Sequence, residues 1–375
     1  MIHRIISLSF FLLFVQELSA QYNVQFVLQS FPGVGKQENN FFLAGNFNNW
    51  NPGDENSTFQ QDQKGNYSVS LKLAAGIYEY KITRGSWNKV ECARNGTGIE
   101  NRFLKLESDT VVVIDVEAWQ DQSASKIRKS TASPNVSIIT TSFYIPQLKR
   151  TRRVWIYLPS DYATSKQRYP VLYMHDGQNV FEDTTAYSGE WGVDEYLDST
   201  KVRKSIVVAI DHGGDKRLNE YSPYDMDKYG KGEGKQYIDF VVKKLKKYID
   251  RKYRTLRGKE HTFITGSSMG GLISLYAMLK YPRKFGGAGI FSPAFWVAPG
   301  IYDEIRSGGS KVKGRLFFYA GKNESETMVP LMMKAFGELA AVSHSQLESI
   351  IRDDGKHNEA TWRKEFPLFY EWIFR

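Results

Sequence analysis

One cysteine in 375 residues, Cys92, leaves no partner for an intramolecular disulfide and removes thiolate metal sites from consideration. Apolar runs long enough to span a bilayer are missing throughout the chain. The longest run, Ile5 to Val15, is too short to span, follows His3 and Arg4, and precedes Leu18-Ser19-Ala20. That pattern predicts a cleavable secretory signal over residues 1–20, and no cysteine stands at the expected cleavage point to take a lipid. The mature chain is therefore expected to be secreted or periplasmic, with no membrane insertion. Acidic residues are also in deficit: 50 Lys and Arg face 41 Asp and Glu, a net charge of +9. A basic excess raises the question of nucleic acid. Much of it, however, falls on one predicted helix, Tyr237–Tyr253. There Lys243, Lys244, Lys246, Lys247, Arg251 and Lys252 oppose Ile238, Val241, Val242, Leu245 and Ile249. A solvated helix face is the simplest reading, and no nucleic-acid partner is expected.

What is present is enough apolar and aromatic material, 41% and 14%, to pack cores, and enough length for two domains. Residues 21–119 read as a small all-β, immunoglobulin-like sandwich. Short alternating or apolar runs at Tyr22–Gln29, Asn40–Ala44, Tyr67–Leu73, Ile77–Thr83 and Val111–Val116 are separated by Gly, Asn, Pro and Asp turns. Residues 120–135 are polar, Ser-rich and aperiodic, as a linker is. From residue 136 to 375 strand-like and helix-like stretches alternate, which predicts an α/β domain with a mostly parallel sheet. Its expected strands are Ser137–Tyr144, Arg152–Leu158, Pro170–His175, Ser205–Asp211, His261–Thr265, Gly287–Phe291, Arg315–Ala320 and Leu347–Arg352. Its expected helices are Gly192–Asp198, Tyr237–Tyr253, Gly271–Lys280 and Val329–Ala341.

The chemistry centres on Gly266-Ser267-Ser268-Met269-Gly270. The pentapeptide follows a β-branched and aromatic run and precedes Leu272, Ile273, Leu275, Tyr276 and Leu279 at helical spacing. Strand, G-x-S-x-G and helix in that order are the setting of a nucleophile elbow. Ser268 is then exposed at a strand end, and the Met269 N–H, at a helix N-terminus, faces a developing oxyanion. A serine nucleophile needs a base and a group to orient that base, in the chain order Ser, acid, His. Of the two histidines after Ser268, His344 ends a predicted helix, whereas His357 lies in a loop after the last strand. The acid belongs after strand Arg315–Ala320, where both Glu324 and Glu326 stand.

Two resemblances extend this reading. Leu43-Ala44-Gly45-Asn46-Phe47-Asn48-Asn49-Trp50 and Gly76-Ile77-Tyr78-Glu79-Tyr80-Lys81 are similar to signatures of the starch- and glycogen-binding type of carbohydrate module. The resemblance implies a polysaccharide partner for the first domain. Trp50 and Trp87, in polar turns, would stack on sugar rings, and Lys81 with the nearby Asn residues would supply hydrogen bonds. Separately, Arg153-Val154-Trp155-Ile156-Tyr157-Leu158-Pro159, Tyr173-Met174-His175-Asp176-Gly177-Gln178-Asn179, Gly266–Gly270, Phe291-Ser292-Pro293 and Gly355-Lys356-His357-Asn358 resemble the esterase D group of α/β-hydrolases. That group includes acetyl and feruloyl esterases and siderophore trilactone esterases. The resemblance implies an acylated carbohydrate or other small ester as substrate and no cofactor. It also favours Glu324 as the acid, with Glu326 or a Ser–His dyad as alternatives, and Gln178 as the second oxyanion donor. Trp191, Tyr221 and Trp296 follow strand ends and would line the substrate pocket or else pack in the core. His175 and Asp176 invite a metal reading, but no second ligand cluster accompanies them. The rival functions are a siderophore trilactone esterase and a glycan-binding protein with an inactive hydrolase domain.

Overall fold

A computed structural model describes residues 21–33, 40–48, 50–99, 101–123, 129–186, 189–226 and 229–375. The expected signal, residues 1–20, lies outside them, as do residues 124–128 of the expected linker. The chain divides into two compact units. The first runs to Val90 and adds Asn101–Val116; the second takes Glu91–Glu100 and Glu117–Arg375.

Two sheets build the first unit. One has the order β3-β4-β1-β8, from β1 (Gln21–Ser30), β3 (Gln60–Gln61), β4 (Tyr67–Ala74) and β8 (Thr110–Asp115). The other has the order β2-β5-β7, from β2 (Phe42–Gly45), β5 (Gly76–Thr83) and β7 (Arg102–Leu106). Period-two alternation sends Val24, Phe26 and Leu28 of β1 inward, against Tyr80 and Ile82 of β5. Two short strands, β6 (Glu91–Cys92) and β9 (Ala118–Trp119), pair with each other and belong to the second unit. They explain why the division falls inside the stretch that the sequence assigns wholly to the sandwich.

The second unit is built on an eight-stranded sheet of order β10-β11-β13-β12-β14-β15-β16-β17. Its strands are β10 (Val136–Ile145), β11 (Arg150–Tyr157), β12 (Val171–His175), β13 (Ile206–Ile210), β14 (Thr262–Ser267), β15 (Gly287–Phe291), β16 (Arg315–Gly321) and β17 (Gln346–Arg352). The first two strands run antiparallel and the rest parallel, as the alternating pattern predicts. Helices cover both faces: α1 (Val193–Ser199), α2 (Arg217–Tyr221), α3 (Gly234–Phe240), α4 (Lys246–Lys252), α5 (Met269–Lys280), α6 (Gly300–Gly308), α7 (Met328–Val342) and α8 (Glu359–Ile373). Strand residues divide between two cores by parity. Val171 and Tyr173 pack toward α3 to α7, while Leu172 and Met174 pack toward α1 and α8.

The expected single helix Tyr237–Tyr253 is instead α3 and α4 joined by a π-helical turn over Val241–Leu245. Its basic face is partly self-neutralised, with Lys243 bonded to Asp239 and Lys246 to Asp250. Among the described residues no helix is long and apolar enough to cross a membrane.

Candidate active site

Strands β12, β14, β15, β16 and β17 are parallel, so their carboxyl ends share one edge. Each crest residue there bonds to the neighbouring strand. Ser268 N–H donates to Phe291 O (2.9 Å), Ser292 N–H to Tyr319 O (2.7 Å) and Lys322 N–H to Arg352 O (2.8 Å). The loops carrying Ser268, Ser292, Glu324 and His357 thus form one hydrogen-bonded rim, at the end of the sheet where ligand sites of α/β folds lie.

Ser268 stands between β14 and α5 with φ 58° and ψ −120°, a conformation that side-chain-bearing residues rarely adopt. The close approach that enforces this turn is measurable. A Cβ on Gly266 would sit 3.0 Å from the Cα of Gly270 and 3.1 Å from the His175 Cβ. Met269 opens α5, so its N–H has no acceptor within the helix. Gln178 lies in the 3-10 turn Gly177–Asn179 that follows β12, entered through Asp176 at φ 55°. Thr185 Oγ donates to Gln178 O at 2.7 Å and holds that turn in place.

Glu324, with its side chain fully buried, brings Oε2 to 2.8 Å from His357 Nδ1. Its Oε1 accepts from Gly321 N–H (2.6 Å) and from Ser292 Oγ (2.7 Å). Glu326, the sequence alternative, is exposed on the same loop. The two loops meet because Gly321 and Gly355 both lack side chains: a Cβ on Gly321 would lie 2.2 Å from Gly355 backbone atoms. Past His357, the Asn358 side chain caps α8 by accepting from Thr361 N–H at 3.0 Å. The His357 ring lies edge-on to Trp362, centroids 5.1 Å apart. With one carboxylate oxygen at Nδ1, the imidazole is held in the tautomer whose proton acceptor is Nε2.

Beneath the elbow lies a buried polar floor. His175 donates to or accepts from Tyr237 OH at 2.9 Å, and burial lowers its pKa to about 4. Burial works against the Asp176 charge, but a two-bonded pair with Arg217 (2.7 and 2.9 Å) prevails and holds its carboxyl below the usual range. With both oxygens committed, Asp176 is a brace, and among the described residues no cluster of three metal-ligating side chains occurs.

The expected pocket residues divide. Trp191 is 3% exposed and stacks on Trp362 (5.8 Å, 26°) while meeting Phe291 edge-on. Tyr221 is fully buried, its hydroxyl accepting from Asp176 N–H at 3.3 Å. Both are core residues, Trp191 on the α1 and α8 side of the sheet and Tyr221 on the α3 to α7 side. Trp296 alone of the three is at the surface, 45% exposed, two residues beyond Ala294, whose N–H bonds Ser268 O. Sequence reasoning missed Ser292, Trp362 and Arg217. It also missed buried Glu359, which accepts from Asn179 Nδ2 at 2.9 Å and ties the Gln178 turn to the start of α8. Ser292 had two signals, its place directly after a strand end and its place within Phe291-Ser292-Pro293.

In the first unit Trp50 and Trp87 are half-buried neighbours, ring centroids 6.3 Å apart and tilted 40°. Lys81, expected to meet sugars, is 4% exposed. It lies on the face of β5 opposite Tyr80 and Ile82, paired with Ala44 of β2, and is buried there rather than presented at the surface. Asn48 is likewise committed inside, to Gly45 N–H, Leu43 O and Asp54.

The Esterase family model matches residues 145–368, and the pullulanase X25 domain model matches residues 40–118. An iron(III) enterobactin esterase of Escherichia coli K12 is 28% identical over 228 residues, which are 58% of this chain and 52% of that protein. An endo-1,4-beta-xylanase/feruloyl esterase of Xylanibacter ruminicola is 22% identical over 287 residues, 75% of this chain and 36% of that one. The chain thus spans about half, or less, of these relatives' lengths. In structure it is similar to the enterobactin esterase FES of Shigella flexneri, with a TM-score of 0.53, 15% identity, and coverage of 96% of this chain and 94% of that one. At that identity the likeness is one of fold.

Proposed function

The chain belongs to the Esterase family, a carboxylic ester hydrolase preceded by a carbohydrate-binding-like β domain, and from that premise we propose an exported serine esterase acting on acyl esters of carbohydrates. The contact between Glu324 and His357 Nδ1, 2.8 Å long and made from a fully buried carboxylate, carries the reading. Ser268 Oγ attacks the ester carbonyl and gives its proton to His357 Nε2, while Glu324 stabilises the imidazolium through Nδ1–H. The N–H groups of Met269 and Gln178 receive the oxyanion. His357 then protonates the departing alcohol, and water, deprotonated by the same imidazole, releases the acid from Ser268. None of these steps calls for a cofactor.

The relatives' names supply two substrate classes, feruloyl esters and an iron(III) siderophore. The X25-like domain supports the carbohydrate class, since a domain of that kind would give the enzyme a place to hold a polymer. The higher identity to the enterobactin esterase favours a trilactone as the second reading. Turnover of acetylated and feruloylated oligosaccharides, set against a catecholate trilactone, separates them. Ser268→Ala should lower kcat on every productive ester by about 10⁴-fold or more while leaving the fold intact. A folded variant retaining a tenth of the activity refutes the serine mechanism. Inertness of the wild type toward all esters would support an inactive hydrolase domain.

A further inference from the structure

We infer that Ser292 is a positioning residue for Glu324, with its hydroxyl proton aimed by Trp362; the inference rests on the serine-esterase reading. Three observations combine. Glu324 has two oxygens, and Oε2 is taken by His357. Oε1 accepts from Gly321 N–H and Ser292 Oγ. Gly321 stands three residues before Glu324 at the root of the same loop, whereas Ser292 comes from the neighbouring strand β15. Of the two bonds to Oε1 among the described residues, the Ser292 bond is the one that ties the carboxylate to a neighbouring strand.

The direction of that bond is fixed as well. A serine hydroxyl has one proton and can turn it toward any acceptor in reach. An indole N–H can only donate. Trp362 Nε1 donates to Ser292 Oγ at 2.8 Å, so a lone pair must face the indole and the proton is directed to Glu324. Ser292, Glu324 and Trp362 are 0%, 3% and 4% exposed, so water does not compete for these groups. Ser292 is held in its place by backbone geometry, with φ 43° and N–H bonded to Tyr319 O at 2.7 Å. Trp362 in addition presents its ring to His357 and stacks on Trp191. One indole therefore sets both the carboxylate's partner and the face against which the imidazole rests.

The test uses the full chain and a small chromogenic ester. Ser292→Ala keeps the volume and removes the proton; kcat should fall about 10- to 100-fold with KM within about twofold. In a Glu324→Gln background the same change should cost nothing further. Trp362→Phe, which keeps a ring but removes the N–H, should lower kcat several-fold, and the double variant with Ser292→Ala should be no slower than Ser292→Ala alone. The downfield proton resonance of His357 Nδ1–H should move in Ser292→Ala and disappear in Glu324→Gln. If Ser292→Ala does not fold, Ser292→Gly, which accepts φ 43° without steric strain, takes its place. The inference is overturned if either folded variant keeps kcat within twofold of wild type. It is also overturned if the loss is undiminished in the Glu324→Gln background, which marks a general packing defect, or if Glu324→Gln itself is harmless. Activity surviving in Ser268→Ala would sink the underlying reading, whereas a dead Ser268→Ala beside a fully active Ser292→Ala sinks this inference alone.

Discussion

Glu324 and Glu326 stand two positions apart in one loop, and burial separates them. The side chain of Glu324 is inaccessible and bonded to His357, Ser292 and Gly321, while Glu326 faces solvent. Glu324→Gln should therefore lower kcat by about 10³- to 10⁴-fold, as loss of a triad acid does, and Glu326→Gln should change it less than about fivefold. Steady-state kinetics on a chromogenic ester decides, and the reverse ranking would move the role to Glu326. The sequence makes Ser268 and His357 legible because a G-x-S-x-G between strand and helix, and a late loop histidine, are local patterns. It leaves Glu324 and Glu326 open, since two carboxylates in one turn differ only in what the rest of the chain places beside them. The link between Ser292 and Trp362 was illegible for the same reason: 70 residues separate the hydroxyl from the indole that aims it. Aromatic residues misled in the other direction. Trp191 and Tyr221 follow strand ends, as pocket residues do, yet both are claimed by the core.

Among the elements, the parallel strands were the most legible, because a buried strand in a covered sheet is a short apolar run bounded by turns. Helix α8 escaped notice through Pro367, which reads as a helix breaker but stands within Glu359–Ile373. The end of the expected linker also proves structured. Ser130 and Thr131 bond Glu182, Thr131 also bonds Glu190, Ser133 N–H bonds Asp194 and Asn135 bonds Asp198. A polar, aperiodic stretch gives no hint that carboxylates 51 to 63 residues onward will hold it. In the first unit the element that matters is the pair of turns bearing Trp50 and Trp87. If these rings are the polysaccharide platform, Trp50→Ala and Trp87→Ala should each weaken retention of the full chain on soluble α-glucan by about 1–2 kcal/mol. Turnover of a small ester should be untouched. Affinity electrophoresis measures the first, and early melting of either variant would mark its ring as structural instead.

At the scale of the whole molecule, the chain divides into two compact units: a β domain carrying a tryptophan pair and an esterase domain whose candidate catalytic groups line one sheet edge. The geometry of Ser268 has a consequence for the stability of the catalytic unit. At φ 58° and ψ −120° its side chain keeps the backbone about 1–3 kcal/mol above its relaxed state. The rest of the fold carries that load for as long as the protein is folded, with or without substrate. Alanine at this position removes the chemistry but not the load, because its Cβ meets the same clash. Glycine removes both, offset by about 0.5–1 kcal/mol of extra freedom in the unfolded chain. Ser268→Gly should therefore melt above Ser268→Ala, by a margin on the order of 1 kcal/mol, or roughly 2–4 °C for a unit of this size. Calorimetry on the two inactive variants would show whether the enzyme trades longevity for its nucleophile, and equal melting temperatures would show that it does not.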